Sequence, residues 1–108
     1  MTMLHFADLK RDMEGEIRRI ADFLEIQPKN WDQIFEHCSF DYMKAHAELS
    51  APLGGALWEG GAQTFINKGT NGRWQSMLSQ KESADYEARA LAELGPECAA
   101  WLKSGSLA

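Results

Sequence analysis

Valine is absent from this chain of 108 residues. β-branched side chains populate strands because their stiff χ1 rotamers suit a pleated surface, so a chain without valine is poorly equipped for a large sheet. The apolar positions are filled instead by alanine and leucine, which are strong helix formers. At this length the chain is expected to form a single domain over residues 1–108. Hydrophobic residues at 44% and charged residues at 25% exclude wholesale disorder. The expected fold class is mostly α, about five helices with a long glycine-rich loop. One short strand is allowed at Met3–Ala7, where the pattern alternates loosely.

Helix signals recur along the chain. Asp12 reads as an N-cap, and Met13, Ile17, Ile20, Ala21 and Leu24 then repeat at helical spacing on one face. Gly15 weakens the first turn. Pro28 and Asn30 interrupt the pattern, and Asn30 caps a second helix, Trp31 to His37, whose apolar stripe is Trp31, Ile34, Phe35 and Cys38. Ser39 caps a third over Phe40 to Leu49, placing Phe40, Met43 and Ala47 together. Ser79-Gln80-Lys81-Glu82 spells a capping box before a helix to Leu94, with Ala84, Ala88, Leu91 and Ala92 on its apolar side. Gly95 stops that helix and Pro96 opens a last one, Glu97 to Lys103, with Cys98, Trp101 and Leu102 turned inward. The tail Ser104 to Ala108 is expected to fray.

Between Pro52 and Asn71 the helical period disappears, and Gly54, Gly55, Gly60, Gly61 and Gly69 crowd together with Gly72 just beyond. A structureless stretch of about 20 residues in a compact domain is commonly functional. Its densest part is Phe65-Ile66-Asn67-Lys68-Gly69-Thr70-Asn71-Gly72-Arg73-Trp74. Glycines there permit positive φ, so successive backbone N–H groups can point into one concavity. Lys68 and Arg73 add charge, and Asn67, Thr70 and Asn71 add neutral donors. Such a set suits an anion. A solvated turn is the plainer reading of the same residues.

Charge narrows the partners. With 11 basic and 16 acidic residues the formal charge is -5. That balance opposes a nucleic-acid binder, whose footprint is basic, and a polybasic membrane patch. No apolar run approaches the ~20 residues that span a bilayer, and the opening MTMLHFADLK carries no signal-peptide core, so a cytoplasmic chain is expected. Cys38 and Cys98 lie far apart in no metal-ligand spacing and are expected to be reduced, with no metal site. Glu14, Glu16, Asp22 and Glu25 spread around the first helix among arginines, a solvated charged face. His5, His37 and His46 belong to no catalytic motif. Trp31 and Trp101 read as core residues.

Four blocks in order carry a resemblance. His5-Phe6-Ala7-Asp8-Leu9-Lys10-Arg11-Asp12 is followed by a helix with Ile20-Ala21-Asp22-Phe23-Leu24, then by Ser39-Phe40-Asp41-Tyr42-Met43-Lys44, then by the Phe65–Trp74 loop. From Leu4 to Leu94 this resembles the C-terminal portion of the cytosolic-type sulfotransferases. Members of that family move a sulfuryl group from 3′-phosphoadenosine 5′-phosphosulfate (PAPS) to a hydroxyl or amine. The resemblance implies the C-terminal part of their α/β, P-loop-like fold. It also implies that Lys68 and Gly69 bind the 3′-phosphate of PAPS, or of the product PAP, with Asn67, Thr70, Arg73 and Trp74 as further cofactor-binding candidates.

The family's arginine is replaced here by Asn67, which removes a charge-assisted bidentate contact and is expected to weaken the nucleotide. Arg73 stands where the family often has aspartate. The segment Pro52 to Thr64 corresponds to the family's mobile closing loop, with Trp58 and Phe65 as candidate contacts. The family's 5′-phosphosulfate loop and its histidine base have no counterpart in this sequence. No catalytic residue is therefore assigned, and a fragment without turnover of its own is expected. The face of Ile17, Ile20, Ala21 and Leu24 then lacks the sheet it covers in the family, which leads to a homo-oligomer as the expectation. The alternative is a non-catalytic helical oligomerisation or interaction module derived from a sulfotransferase.

Overall fold

The structure, a computed structural model, describes residues 1–105. Seven α-helices appear: α1 (Phe6–Arg11), α2 (Met13–Phe23), α3 (Trp31–Cys38), α4 (Phe40–Ala45), α5 (Ala47–Ser50), α6 (Ala62–Phe65) and α7 (Gln80–Ser104). Two 3-10 turns, Pro52–Gly55 and Arg73–Ser76, complete the order, and there is no strand among the described residues. The mostly-α expectation holds. The strand suggested at Met3–Ala7 does not form, because His5 caps a helix there. Its Nδ1 accepts from the Ala7 N–H at 3.1 Å, which leaves Nε2 protonated to donate to the Leu102 carbonyl at 3.0 Å.

The chain forms two compact units, Ile26–Thr70 and Met1–Glu25 with the chain from Asn71 onward. In the latter, α1 and α2 pack on one another. Asp12 caps α2 by accepting from the Gly15 N–H at 2.9 Å. Such a cap contributes ~1 kcal/mol. Gly15 has a positive role in it, since an added Cβ would lie 2.2 Å from the Asp12 carboxylate. Arg19 ties the N-terminal segment to α2, donating to Thr2 Oγ1 and the Met3 carbonyl, both at 2.9 Å, as well as to Glu16. On the expected apolar face Ala21 is buried, Ile17 and Ile20 are half-buried, and Leu24 is exposed.

Helix α7 begins with the expected capping box at Ser79 and Glu82. Gly95 (φ 76, ψ 169) breaks it into two arms, as its sequence position predicted. Burial along the arms departs from expectation: Ala84, Ala88, Leu91, Ala92, Cys98 and Leu102 are exposed, and Trp101 is half-buried against His5 at 5.0 Å between ring centroids. Ser104, expected to fray, closes the helix, with the Gly105 N–H bonded to the Trp101 carbonyl. The rest of that expectation, residues 106–108, lies outside the described residues.

In the Ile26–Thr70 unit, Asn30 and Ser39 cap α3 and α4 as expected. The helix foreseen over Phe40 to Leu49 is instead two. His46 leaves helical geometry (φ -112, ψ 39), and its ring stacks on Tyr42, 4.0 Å between centroids. Tyr42 also stacks on His37 at 4.3 Å. Phe35 is buried, Trp31 and Ile34 are half-buried, and Cys38 is exposed. The loop expected to be structureless is partly ordered. Its small core is Ala47, Ala51 and Ala62 with Ile66 packed against it. Three methyl groups allow the close approach of α5, the Pro52–Gly55 turn and α6, at ~0.8 kcal/mol per buried carbon. Gly55 is required at that junction, because a Cβ there would stand 2.2 Å from the Ala62 nitrogen.

Candidate functional site

The candidate loop leaves the end of α6. Helix α6 is a single turn held by the alanine core, and its C-terminal carbonyls have no partner within the helix. Lys44, on α4, supplies one: its ammonium donates to the Gln63 carbonyl at 2.6 Å and to the Ile66 carbonyl. Gln63 returns a bond from Nε2 to the Lys44 carbonyl at 3.0 Å. The chain thus enters Asn67 from a fixed point.

Three residues later it is held again. Gly69 has φ +60, and a Cβ there would lie 2.5 Å from Phe40 Cδ2 and 2.7 Å from Cε2. The backbone therefore rests on the Phe40 ring in a left-handed conformation that glycine adopts without cost. Asn67, Lys68 and Thr70 are exposed. Among the described residues the Lys68 ammonium is paired with no carboxylate, so its charge faces solvent.

Asn67, Lys68, Gly69 and Thr70 close the Ile26–Thr70 unit, and the division falls directly after them. Arg73 and Trp74 belong to the other unit, in the 3-10 turn Arg73–Ser76 that follows the left-handed Gly72 (φ 76, ψ 7). Arg73 is exposed, and its guanidinium also has no carboxylate partner among the described residues. Trp74 is half exposed and lines an apolar cleft of about 620 Å³ with Leu78, Tyr86, Leu91 and Leu102. Trp58 and Phe65 pack on each other, 4.5 Å between centroids. Phe40 and Lys44, read in the sequence as members of a helical block, prove to be neighbours of the loop. Their spacing of four puts both on one face of α4, but no sequence signal links that face to the loop.

A second cleft, about 800 Å³, lies in the unit containing α1 and α2 and is lined by Asp8, Asp12, Glu16, Arg11, Arg19 and Trp101 among others. Its arginines are paired, Arg11 with Asp8 at 2.9 Å and Arg19 with Glu16 at 2.5 Å. The hydrogen bond that the Arg19 guanidinium donates to the Glu16 carboxylate raises the Arg19 pKa above its ordinary value. No group of three or more His, Cys, Asp or Glu that could hold a metal ion occurs among the described residues. Cys38 and Cys98 are free and exposed. No described helix is long and apolar enough to cross a membrane.

Comparison with known proteins bears on the whole of this region. A family model described as the sulfotransferase domain matches residues 1–94. Sulfotransferase 1B1 of Mus musculus is 27% identical over 79% of this chain and 29% of its own length. Sulfotransferase 2A6 of Rattus norvegicus is 30% identical over 79% of this chain and 31% of its own. A glycolipid sulfotransferase of Mycobacterium bovis is 26% identical over 97% of this chain and 33% of its own. The chain thus spans about a third of the length of these relatives. No solved structure matches it. The chain belongs to the sulfotransferase family.

Proposed function

We propose that this chain is the C-terminal part of a sulfotransferase, acting over residues 1–108 as one piece, and that it contributes the 3′-phosphate site for PAPS through Lys68 and Gly69. The observation that carries this reading is the turn itself. An unpaired lysine precedes a glycine held at φ +60 inside the stretch matched by the family model. The donor set fits a phosphate: the Lys68 ammonium, the backbone N–H groups around Gly69, the Thr70 hydroxyl and the Asn67 amide. Arg73 and Trp74 are assigned to the same loop by their place in the motif. PAPS bound there supplies the sulfuryl group for transfer to a hydroxyl or amine acceptor, and this chain's residues bind and orient its nucleotide end. With no base and no clamp on the sulfuryl oxygens among its assigned residues, the chain is inactive alone. A cytoplasmic setting accords with this chemistry.

Calorimetric titration with 3′-phosphoadenosine 5′-phosphate at low salt tests the reading, with Lys68→Ala alongside. Binding that Lys68→Ala abolishes upholds it; no heat from the unsubstituted chain overturns it. A second reading, a non-catalytic helical oligomerisation module, is favoured by one observation. The buried hydrophobic residues among those described are Ala21, Phe35, Ala47, Ala51 and Ala62, while Met77, Leu91 and Leu94 stand exposed.

A further inference from the structure

Two side chains on one face of α4 grip the chain on either side of Asn67–Lys68. Phe40 lies under Gly69, and Lys44, one turn further along, holds the carbonyls of Gln63 and Ile66. We infer that Lys44 is a positioning residue for the anion turn, acting through the Ile66 carbonyl on the backbone that presents Lys68 and Gly69. The inference rests on the nucleotide-site reading above.

Helix α6, one turn of four residues, is not stable by itself, because nucleation costs more than its single backbone bond returns. The carbonyls at its C-terminal end carry partial negative charge, and a cation there is favourable. Lys44 is the cation provided. Charge-assisted bonds to two carbonyls fix both the end of the helix and the direction in which Asn67 leaves it. The Gln63 amide, bonded back to the Lys44 carbonyl, satisfies the matching end of α4. The two helix ends cap each other, so neither relaxes alone. A phosphate turn needs its N–H groups aimed before the ligand arrives, since ordering them on binding subtracts from affinity. Lys44 therefore acts without touching the ligand.

The test compares Lys44→Met, which keeps length but removes the charge and donors, with Lys44→Arg, which keeps both. Calorimetric titration with 3′-phosphoadenosine 5′-phosphate is run on the 108-residue chain. Amide hydrogen exchange at Thr64 and Ile66, whose N–H groups bond to the Gly61 and Ala62 carbonyls, is followed without nucleotide. Lys44→Met is expected to weaken binding roughly tenfold. Lys44→Arg is expected to restore most of it, and the helical circular dichroism of Lys44→Met is expected to match that of the unsubstituted chain. A general loss of structure would lower the helical circular dichroism as well as the binding.

Unchanged binding in Lys44→Met, with binding by the unsubstituted chain intact, overturns the positioning role and leaves the site. Absence of binding by the unsubstituted chain defeats the site reading instead. The exchange arm then decides Lys44: faster exchange confined to residues 64–66 upholds the positioning, and unchanged exchange overturns it.

Discussion

A methyl group placed on Gly69 perturbs the candidate loop at one defined point. Two costs add there. At φ +60 an L-residue is strained by roughly 1–2 kcal/mol. The new Cβ also meets Phe40 Cδ2 at 2.5 Å, Cε2 at 2.7 Å and Cγ at 3.0 Å, so the ring or the backbone must move. Overpacking of this kind costs about 1–3 kcal/mol. Gly54 separates the two contributions, because its φ of 62 is nearly the same and its nearest neighbour, the Glu48 carbonyl, is 3.8 Å away. Both glycines lie in the same unit. Gly54→Ala therefore carries the backbone cost alone, and Gly69→Ala carries both.

Urea unfolding followed by far-ultraviolet circular dichroism reads the difference. With a slope of ~1–3 kcal/mol per molar, the two variants should separate by about 1 M in midpoint. Phe40→Ala in the Gly69→Ala background should recover part of the loss, with a coupling energy of ~0.5–3 kcal/mol for groups in contact. Equal midpoints for Gly54→Ala and Gly69→Ala, or purely additive effects of Gly69→Ala and Phe40→Ala, would refute the argument that the loop rests on this ring.

Two further outcomes are expected. The Ser79 backbone N–H, and after it the Ser79 hydroxyl, hold the Glu82 carboxyl below its ordinary pKa. A carboxylate lowered in the folded state stabilises fully above its unfolded pKa and loses that contribution as pH falls through the folded value. Protection of the first-turn amides of α7, relative to their intrinsic exchange rate at each pH, should accordingly fall in acid below the ordinary carboxylate range, and Glu82→Gln should abolish that pH step. Sedimentation should find the chain associated at micromolar concentration, because Phe23, Leu24, Leu91 and Leu94 are about half exposed; a compact monomer sinks the oligomer.

Helix starts were the most legible part of this fold. Asp12, Asn30, Ser39 and Ser79 each accept from an N–H three residues on, a local bond that the sequence spells directly. Gly95 followed by Pro96 announced the break in α7 for the same reason. Periodicity did less well, since it names the apolar side of a helix but not what covers it. Leu91 and Ala92 sit where the pattern put them and are nevertheless exposed. The break at His46 was hidden because the ring competes locally, its Nδ1 meeting the same Tyr42 carbonyl as its own backbone N–H. Helix α6 is too short to show a period. At the candidate site, the glycines and lysine were readable as a composition. The support beneath them was not, because Phe40 and Gly69 are distant in sequence and no local rule joins them.

That hidden support bears on how an exposed turn could hold a phosphate. Lys68 faces water, where a unit charge at 4 Å gains only about 1 kcal/mol and ions screen beyond ~8 Å at physiological salt. Charge alone is too weak and too undirected to select a 3′-phosphate, and Asn67 withholds the second cation the family places beside it. On the proposed reading the directional part must come from backbone N–H groups, whose value depends on being held in place rather than on being charged. Gly69, pressed on Phe40, and Ile66, held by Lys44, are the two points that hold them. On that reading the specificity of the turn resides less in its lysine than in the face of α4 beneath it.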